Sequence, residues 1–161
     1  MHKIINFTEV EAIIADLRKQ ENVKIVFTNG CFDLIHRGHV EYLEQAKLQG
    51  DILIVGLNSD ASVRKLKGSG RPLTSEDDRA FILSRLESVD IVCIFEEDTP
   101  IKLLSIVQPD VLVKGGDYTL DGIVGRDIVE KNGGLVMTIP FIQNSSTSGM
   151  IEKILRGKAS E

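Results

Sequence analysis

Tryptophan is absent from the chain, and cysteine, proline and histidine are scarce: two, four and three among 161 residues. Cys31 and Cys93 are too few to build a disulfide framework, which excludes a small cross-linked secreted scaffold and fits a reducing compartment. No apolar run approaches the ~18 residues that a membrane-spanning helix needs. The opening Met1-His2-Lys3-Ile4-Ile5-Asn6 lacks the long apolar stretch of a signal peptide, so the expectation is a cytoplasmic protein without a membrane partner. Positive charge is short as well, with 19 Lys and Arg against 24 Asp and Glu, a net charge of -5. That balance argues against a general nucleic-acid binder. Any anionic ligand must therefore be met by a local cluster of cations. What is present is an ordinary apolar fraction, 42%, enough at this length to bury a core without disulfide or metal.

Helical and strand periods alternate along the chain. Thr8-Glu9-Val10-Glu11 has capping-box spacing, and the spacing of Val10, Ile13, Ile14 and Leu17 predicts a helix over 8–20. Strands are expected at 23–27, 51–57, 89–95, 111–113 and 135–139. The run Ile52-Leu53-Ile54-Val55 is apolar throughout, as in a strand covered on both faces. Helices are expected from Val40 to Gln49, over 61–66 with Asp60 as its cap, over 75–88 burying Phe81, Ile82 and Leu86, after Thr99-Pro100, over 123–132, and from a Ser145-Ser146-Thr147-Ser148 cap onwards. The fold class is α/β: a single Rossmann-like domain with a five-stranded parallel sheet and helices on both faces. Residues 1–22 are expected as a helical extension packed on a domain at 23–157, with a tail at 158–161. No internal repeat, low-complexity tract or second domain is visible.

One stretch carries the chemistry: Thr28-Asn29-Gly30-Cys31-Phe32-Asp33-Leu34-Ile35-His36-Arg37-Gly38-His39. An apolar strand enters it and an amphipathic helix leaves it, so both histidines stand where the helix begins. Helix N-termini offer unpaired N–H groups and partial positive charge to phosphate. Asp33, His36 and His39, spaced by threes, also admit a metal site, and both rings admit a purely structural role. Gly38 favours phosphate, because a residue without Cβ allows close approach to the backbone. Asp33 reads either as a turn carboxylate accepting backbone N–H bonds or as a direct contact through Mg²⁺. Lys65, Lys67, Arg71 and Arg79 supply positive charge in and after a glycine-rich loop. Lys114-Gly115-Gly116-Asp117-Tyr118 follows the fourth strand; its glycines let backbone meet a base edge, and Tyr118 offers a ring beside it. Ser146, Thr147 and Ser148 cap a helix with the same N–H groups that bind phosphate. Cys31 lacks the partners of a nucleophile, and no resident metal site is assigned.

The pattern Gly30-x-Phe32-Asp33-x-x-His36-x-Gly38-His39 resembles the signature of the cytidylyltransferase-like nucleotidyltransferases. Thr28 to Asp33, Asn58-Ser59-Asp60, Arg71-Pro72, Glu96 to Pro100, Val113 to Tyr118 and Ser146-Thr147-Ser148 are similar to the heptose-1-phosphate adenylyltransferases within that family. The resemblance implies a strand order 3-2-1-4-5. It implies triphosphate contact by His36 and His39, with Lys67 and Arg79 joining them in catalysis. Thr28, Asn29, Gly30, Cys31, Phe32, Gly38, Lys114, Gly115, Asp117, Tyr118, Ser146, Thr147 and Ser148 would bind the nucleotide. Asp33, Lys65, Lys67, Arg71 and Arg79 would hold the phosphate of the second substrate.

The implied reaction joins ATP, with Mg²⁺, to D-glycero-D-manno-heptose 1-phosphate for lipopolysaccharide. A homodimer and a separate heptose kinase upstream are implied with it. A glycerol-3-phosphate cytidylyltransferase is a second reading; such enzymes carry an Arg-Thr pair where this chain has Phe141-Ile142-Gln143-Asn144. A nucleotide-binding regulator without turnover is a third.

Overall fold

A computed structural model describes residues 3–116, 119–140 and 147–158. The six strands in it are β1 (Ile4–Ile5), β2 (Ile25–Gly30), β3 (Ile52–Asn58), β4 (Ile91–Phe95), β5 (Val111–Gly115) and β6 (Leu135–Ile139). They form one parallel sheet in the order β1-β4-β3-β2-β5-β6. The five expected strands are there in the expected order. The correction is a sixth: Ile4 and Ile5 pair with Val92 and Cys93 at the sheet edge. Two residues are too few to show a period of two, so the sequence carried no signal for it.

The expected first helix is also shorter. A 3₁₀ turn at Phe7–Glu9 leads into α1 (Val10–Leu17), and the Glu9 carboxylate accepts the Asn6 N–H at 2.8 Å. The reciprocal cap thus sits two residues before the Thr8–Glu11 box. The remaining helices are α2 (Arg37–Lys47), α3 (Asp60–Lys67), α4 (Glu76–Ser84), α5 (Ile101–Val107), α6 (Arg126–Lys131) and α7 (Thr147–Lys158). Ser59 rather than Asp60 caps α3, accepting the Ser62 N–H at 3.2 Å. α6 starts three residues late because Gly125 turns the chain with φ +87°, and a Cβ there would lie 2.3 Å from Leu104 Cδ1.

Alternation along the strands divides the core in two. Ile25 and Phe27 face α1, α5 and α6 through Ile14, Leu103, Leu104 and Val129. Val26, Leu53 and Val55 face α2 and α4 through Leu43, Ala46, Ala80 and Leu83. α4 departs from the expected face: Ala80 and Leu83 are buried with Arg79, while Phe81 and Ile82 are 55% and 40% exposed. Among the described residues, no helix is long and apolar enough to cross a membrane.

The amino ends of the central strands are tied by carboxylates. Asp51 accepts the Lys24 N–H at 2.8 Å, Asp90 that of Leu53 at 2.7 Å and Asp110 that of Ile25 at 2.7 Å. Lys47 and Arg18 pair with the last two at 2.5 and 2.8 Å. The carboxyl ends instead gather Asn29, Asn58, Lys114 and their neighbours. Here the chain, having built β3 and β4 on one side of β2, crosses to build β5 on the other. Open parallel sheets bind ligands at such a reversal.

Candidate active site

A cleft of about 470 Å³ lies at this reversal, lined by Asn29 to Asp33, His39, Tyr42, Asn58, Leu66, Lys67, Lys114, Gly115 and Thr147. A hollow of about 530 Å³ near β1 and β4 is lined by Glu76, Asp77, Glu96 and Glu97, the wrong sign for a phosphate.

His36 caps α2 in an extended conformation, and His39 lies in its first turn. Their rings stack with centroids 3.9 Å apart, and Phe32 tilts against His39 at 5.3 Å. Gly30 makes that packing possible: a Cβ there would lie 3.0 Å from the Phe32 ring. The Nδ1 atoms of both histidines are buried, that of His36 without a hydrogen-bond partner. Burial, then the neighbouring His36 and Lys67, pushes His39 down to about 4, against a hydrogen bond to the Leu34 backbone that raises it. Burial also lowers His36. Both shifts favour the neutral imidazole near pH 7.

On the cleft wall, positive charge comes from two lysines. Lys67 reaches the cleft from the end of α3. Lys114, at the end of β5, donates to Asn29 Oδ1 across the reversal, and burial pulls its pKa to about 8. Arg71 donates to Asp33 at 2.6 Å through Nε, while its Nη2 is buried and unpartnered.

Three of the expected site residues also brace the chain, Asp33 in the turn role expected of it. Arg79, fully buried, donates to the carbonyls of Thr74 (3.0 Å), Cys31 (2.5 Å) and Asn58 (2.9 Å) and pairs with Asp60 at 2.7 Å. It ties the ends of β2 and β3 together from beneath and presents nothing to a ligand. Asp33 accepts the N–H groups of Leu73 (2.7 Å) and Thr74 (3.0 Å) besides Arg71. Burial alone would raise its pKa, but the Thr74 amide, Arg71 and the Leu73 amide hold it below the ordinary carboxylate range. Thr28 is buried, its Oγ1 2.6 Å from the Tyr42 hydroxyl, which donates to the Val113 carbonyl at 3.2 Å.

Lys65 lies outside the cleft, paired with Asp98 on the surface at 2.9 Å. Gly38 is buried in α2 beside Tyr42, away from the cleft wall. Thr147 lines the cleft and bonds the Leu34 carbonyl at 3.3 Å, whereas Ser148 is exposed and off the wall. Cys31 lines the cleft, but burial raises its thiol pKa, so no thiolate is favoured. Asp117, Tyr118 and Ser146 lie outside the described residues. Asn58, Tyr42 and Leu66 join the wall without having been named as site residues. Asn58 was within reach of sequence reasoning, since it ends a strand beside Ser59-Asp60.

A doubly wound parallel sheet with paired imidazoles and lysines at its reversal defines a nucleotide-binding domain of the nucleotidyltransferase kind. The comparisons agree, since a family model described as cytidylyltransferase-like matches residues 27–152. The chain belongs to the cytidylyltransferase-like family and with it to the nucleotidyltransferases. It is 54% identical over 153 residues to the bifunctional protein HldE of Trichlorobacter lovleyi, covering 95% of this chain and 31% of that one. It is 52% identical over 159 residues to the bifunctional protein HldE of Geobacter sulfurreducens, covering 99% and 32%. The chain thus spans about a third of the length of the curated relatives it matches.

Among solved structures, the lipopolysaccharide core biosynthesis protein of Thermoplasma volcanium superposes with a TM-score of 0.63 at 28% identity, over 77% of this chain and all of that one. The pantoate-beta-alanine ligase of Francisella tularensis, complexed with beta-gamma ATP and beta-alanine, has a TM-score of 0.65 over 97% and 80% of the two chains. At 18% identity it speaks for the fold alone.

Proposed function

We propose that this chain transfers the adenylyl group of ATP to D-glycero-D-manno-heptose 1-phosphate, giving ADP-heptose and pyrophosphate for lipopolysaccharide. The observation that carries this reading is the stacked His36–His39 pair at the start of α2, with Lys67 beside it. A helix N-terminus at the carboxyl end of a parallel sheet suits an anion. The likeness to HldE proteins and to a lipopolysaccharide core biosynthesis protein supports the sugar acceptor. An annex of about 220 Å³ adjoins the cleft through Asn29, Asn58, Leu66 and Lys114 and is closed by Asp98, Thr99, Pro100, Ile123 and Val124.

A phosphate oxygen of the sugar phosphate attacks the α-phosphorus in line. The new O–P bond forms as the bond to pyrophosphate breaks, and pyrophosphate carries away the electron pair. The acceptor is already an anion, so no general base is required. Catalysis is then positioning and charge stabilisation. His36 and His39 donate N–H bonds to the triphosphate, where charge builds in the transition state. Lys67 and the free Nη2 of Arg71 hold the acceptor phosphate, and Lys114 with Asn29 holds the nucleotide. Asp117 and Tyr118 are assigned to the base, and Ser146 and Thr147 to the β- and γ-phosphates. Asp33, Thr28 and Arg79 act through the backbone they position.

Among the described residues, no three His, Cys, Asp or Glu side chains are grouped to hold a metal ion. Mg²⁺ would arrive with the triphosphate and neutralise part of its charge. The reading includes a cytoplasmic homodimer fed by a heptose kinase. Pyrophosphate release tests it, with ATP, CTP and GTP each offered heptose 1-phosphate and glycerol 3-phosphate. The ATP–heptose pair should be fastest by at least tenfold. A preference for CTP with glycerol 3-phosphate, or ATP binding without release from any acceptor, overturns it.

A further inference from the structure

We propose that α4 is a self-docking surface, two copies of the chain packing α4 antiparallel against α4 about a two-fold axis between Phe81 and Ile82. This rests on the homodimer of the proposed function and names its interface.

The helix has two unlike faces. Arg79, Ala80 and Leu83 are buried against the sheet and the ends of β2 and β3. Asp78, Phe81, Ile82 and Arg85 follow the i, i+3, i+4, i+7 spacing of a single stripe, and that stripe faces outward. Its centre is two adjacent large apolar side chains, 55% and 40% exposed. Its ends carry opposite charges, and the Arg85 guanidinium already lies over the Phe81 ring, 4.8 Å from the centroid.

The stripe is complementary to itself. Asp78 and Arg85 stand equally far from the midpoint between Phe81 and Ile82, about 5 Å along the axis at 1.5 Å per residue. A two-fold axis at that midpoint sets Asp78 opposite Arg85 of the partner subunit, twice, and stacks the apolar pair on its copy. The first turn of α4 is acidic, with Glu76, Asp77 and Asp78, and its C-cap is Arg85. Antiparallel packing therefore also opposes the helix dipoles favourably. Such an isologous contact closes at two subunits. It leaves the cleft free, because the inner face of the same helix is the one that braces it.

Sedimentation equilibrium on the full chain, from about 0.5 to 50 μM, tests the proposal, with thermal melts confirming that each variant is folded. Wild type should be a dimer that dissociates on dilution. Phe81→Glu should raise the dimer Kd at least a hundredfold. Asp78→Arg and Arg85→Asp should each raise it at least tenfold, because like charges then meet across the axis. Mixing those two single variants should restore dimerisation as a heterodimer, and the double variant should restore it alone. A wild-type monomer throughout the range overturns both this interface and the homodimer. A dimer indifferent to Phe81→Glu and to both charge reversals overturns the α4 interface and leaves the homodimer standing.

Discussion

The two ends of the parallel sheet handle polar atoms in opposite ways. At the amino ends, Asp51, Asp90 and Asp110 each accept a strand N–H, and Lys47 and Arg18 complete two of these contacts. At the carboxyl ends, the Nδ1 of His36 and the Nη2 of Arg71 are buried without partners. One end is closed on itself. The other leaves polar atoms unmatched within the chain, which is the mark of a surface shaped for something else. The difference separates residues that make the fold from residues that use it.

The sharpest break of that contrast is His39→Ala. It should lower kcat/KM for pyrophosphate release by about 10²–10³, the magnitude of a lost transition-state donor. Because the ring is disfavoured by its own burial, Tm should move by no more than about 3 °C. Steady-state kinetics and calorimetry on the same preparation check both halves, and a kinetic loss under threefold would sink the assignment. Arg79→Met should do the reverse in kind. It strands Asp60 and three carbonyls, costing about 3 kcal/mol of stability in urea unfolding, with activity falling as the cleft floor loosens.

At the closed end, Asp90→Ala leaves the Leu53 N–H and Lys47 without their acceptor. A loss of about 1–2 kcal/mol is expected, with kcat/KM unchanged within twofold. A kinetic defect there would show that the two ends are not independent. Another effect concerns pH. His39 titrates near 4 in the folded chain against an ordinary 6.5. Between those values the unfolded chain binds a proton that the folded one refuses. Stability is therefore full above about pH 6.5 and declines as pH falls toward 4. Tm measured from pH 7 to 4.5 should fall less steeply in His39→Gln than in wild type.

Much of this contrast was legible in the sequence. Apolar runs gave five strands, and the strand–turn–helix around Gly30 to His39 gave the corner that opens onto the cleft. What was hidden depends on three-dimensional pairing. Charge marked Arg79 as a phosphate ligand, yet its spacing with Ala80 and Leu83 puts it on the inward face, where Asp60 and three carbonyls meet it. Taking the bulkiest apolar residues of that helix as buried had the same root: Phe81 and Ile82 are turned out because the inner face is claimed. Asp33 showed the limit in the other direction. Its turn role was readable, but the loop it grips, at Arg71 to Thr74, lies 38–41 residues away in the chain.

The stacked imidazoles also tie ligand capture to solution acidity. A triphosphate settling beside His39 would make the imidazolium form more favourable, so below about pH 6.5 binding should draw hydrogen ions from the medium. The heat of ATP binding at pH 6 should then differ between two buffers in proportion to their ionisation enthalpies, and that dependence should shrink when His39 is replaced by glutamine.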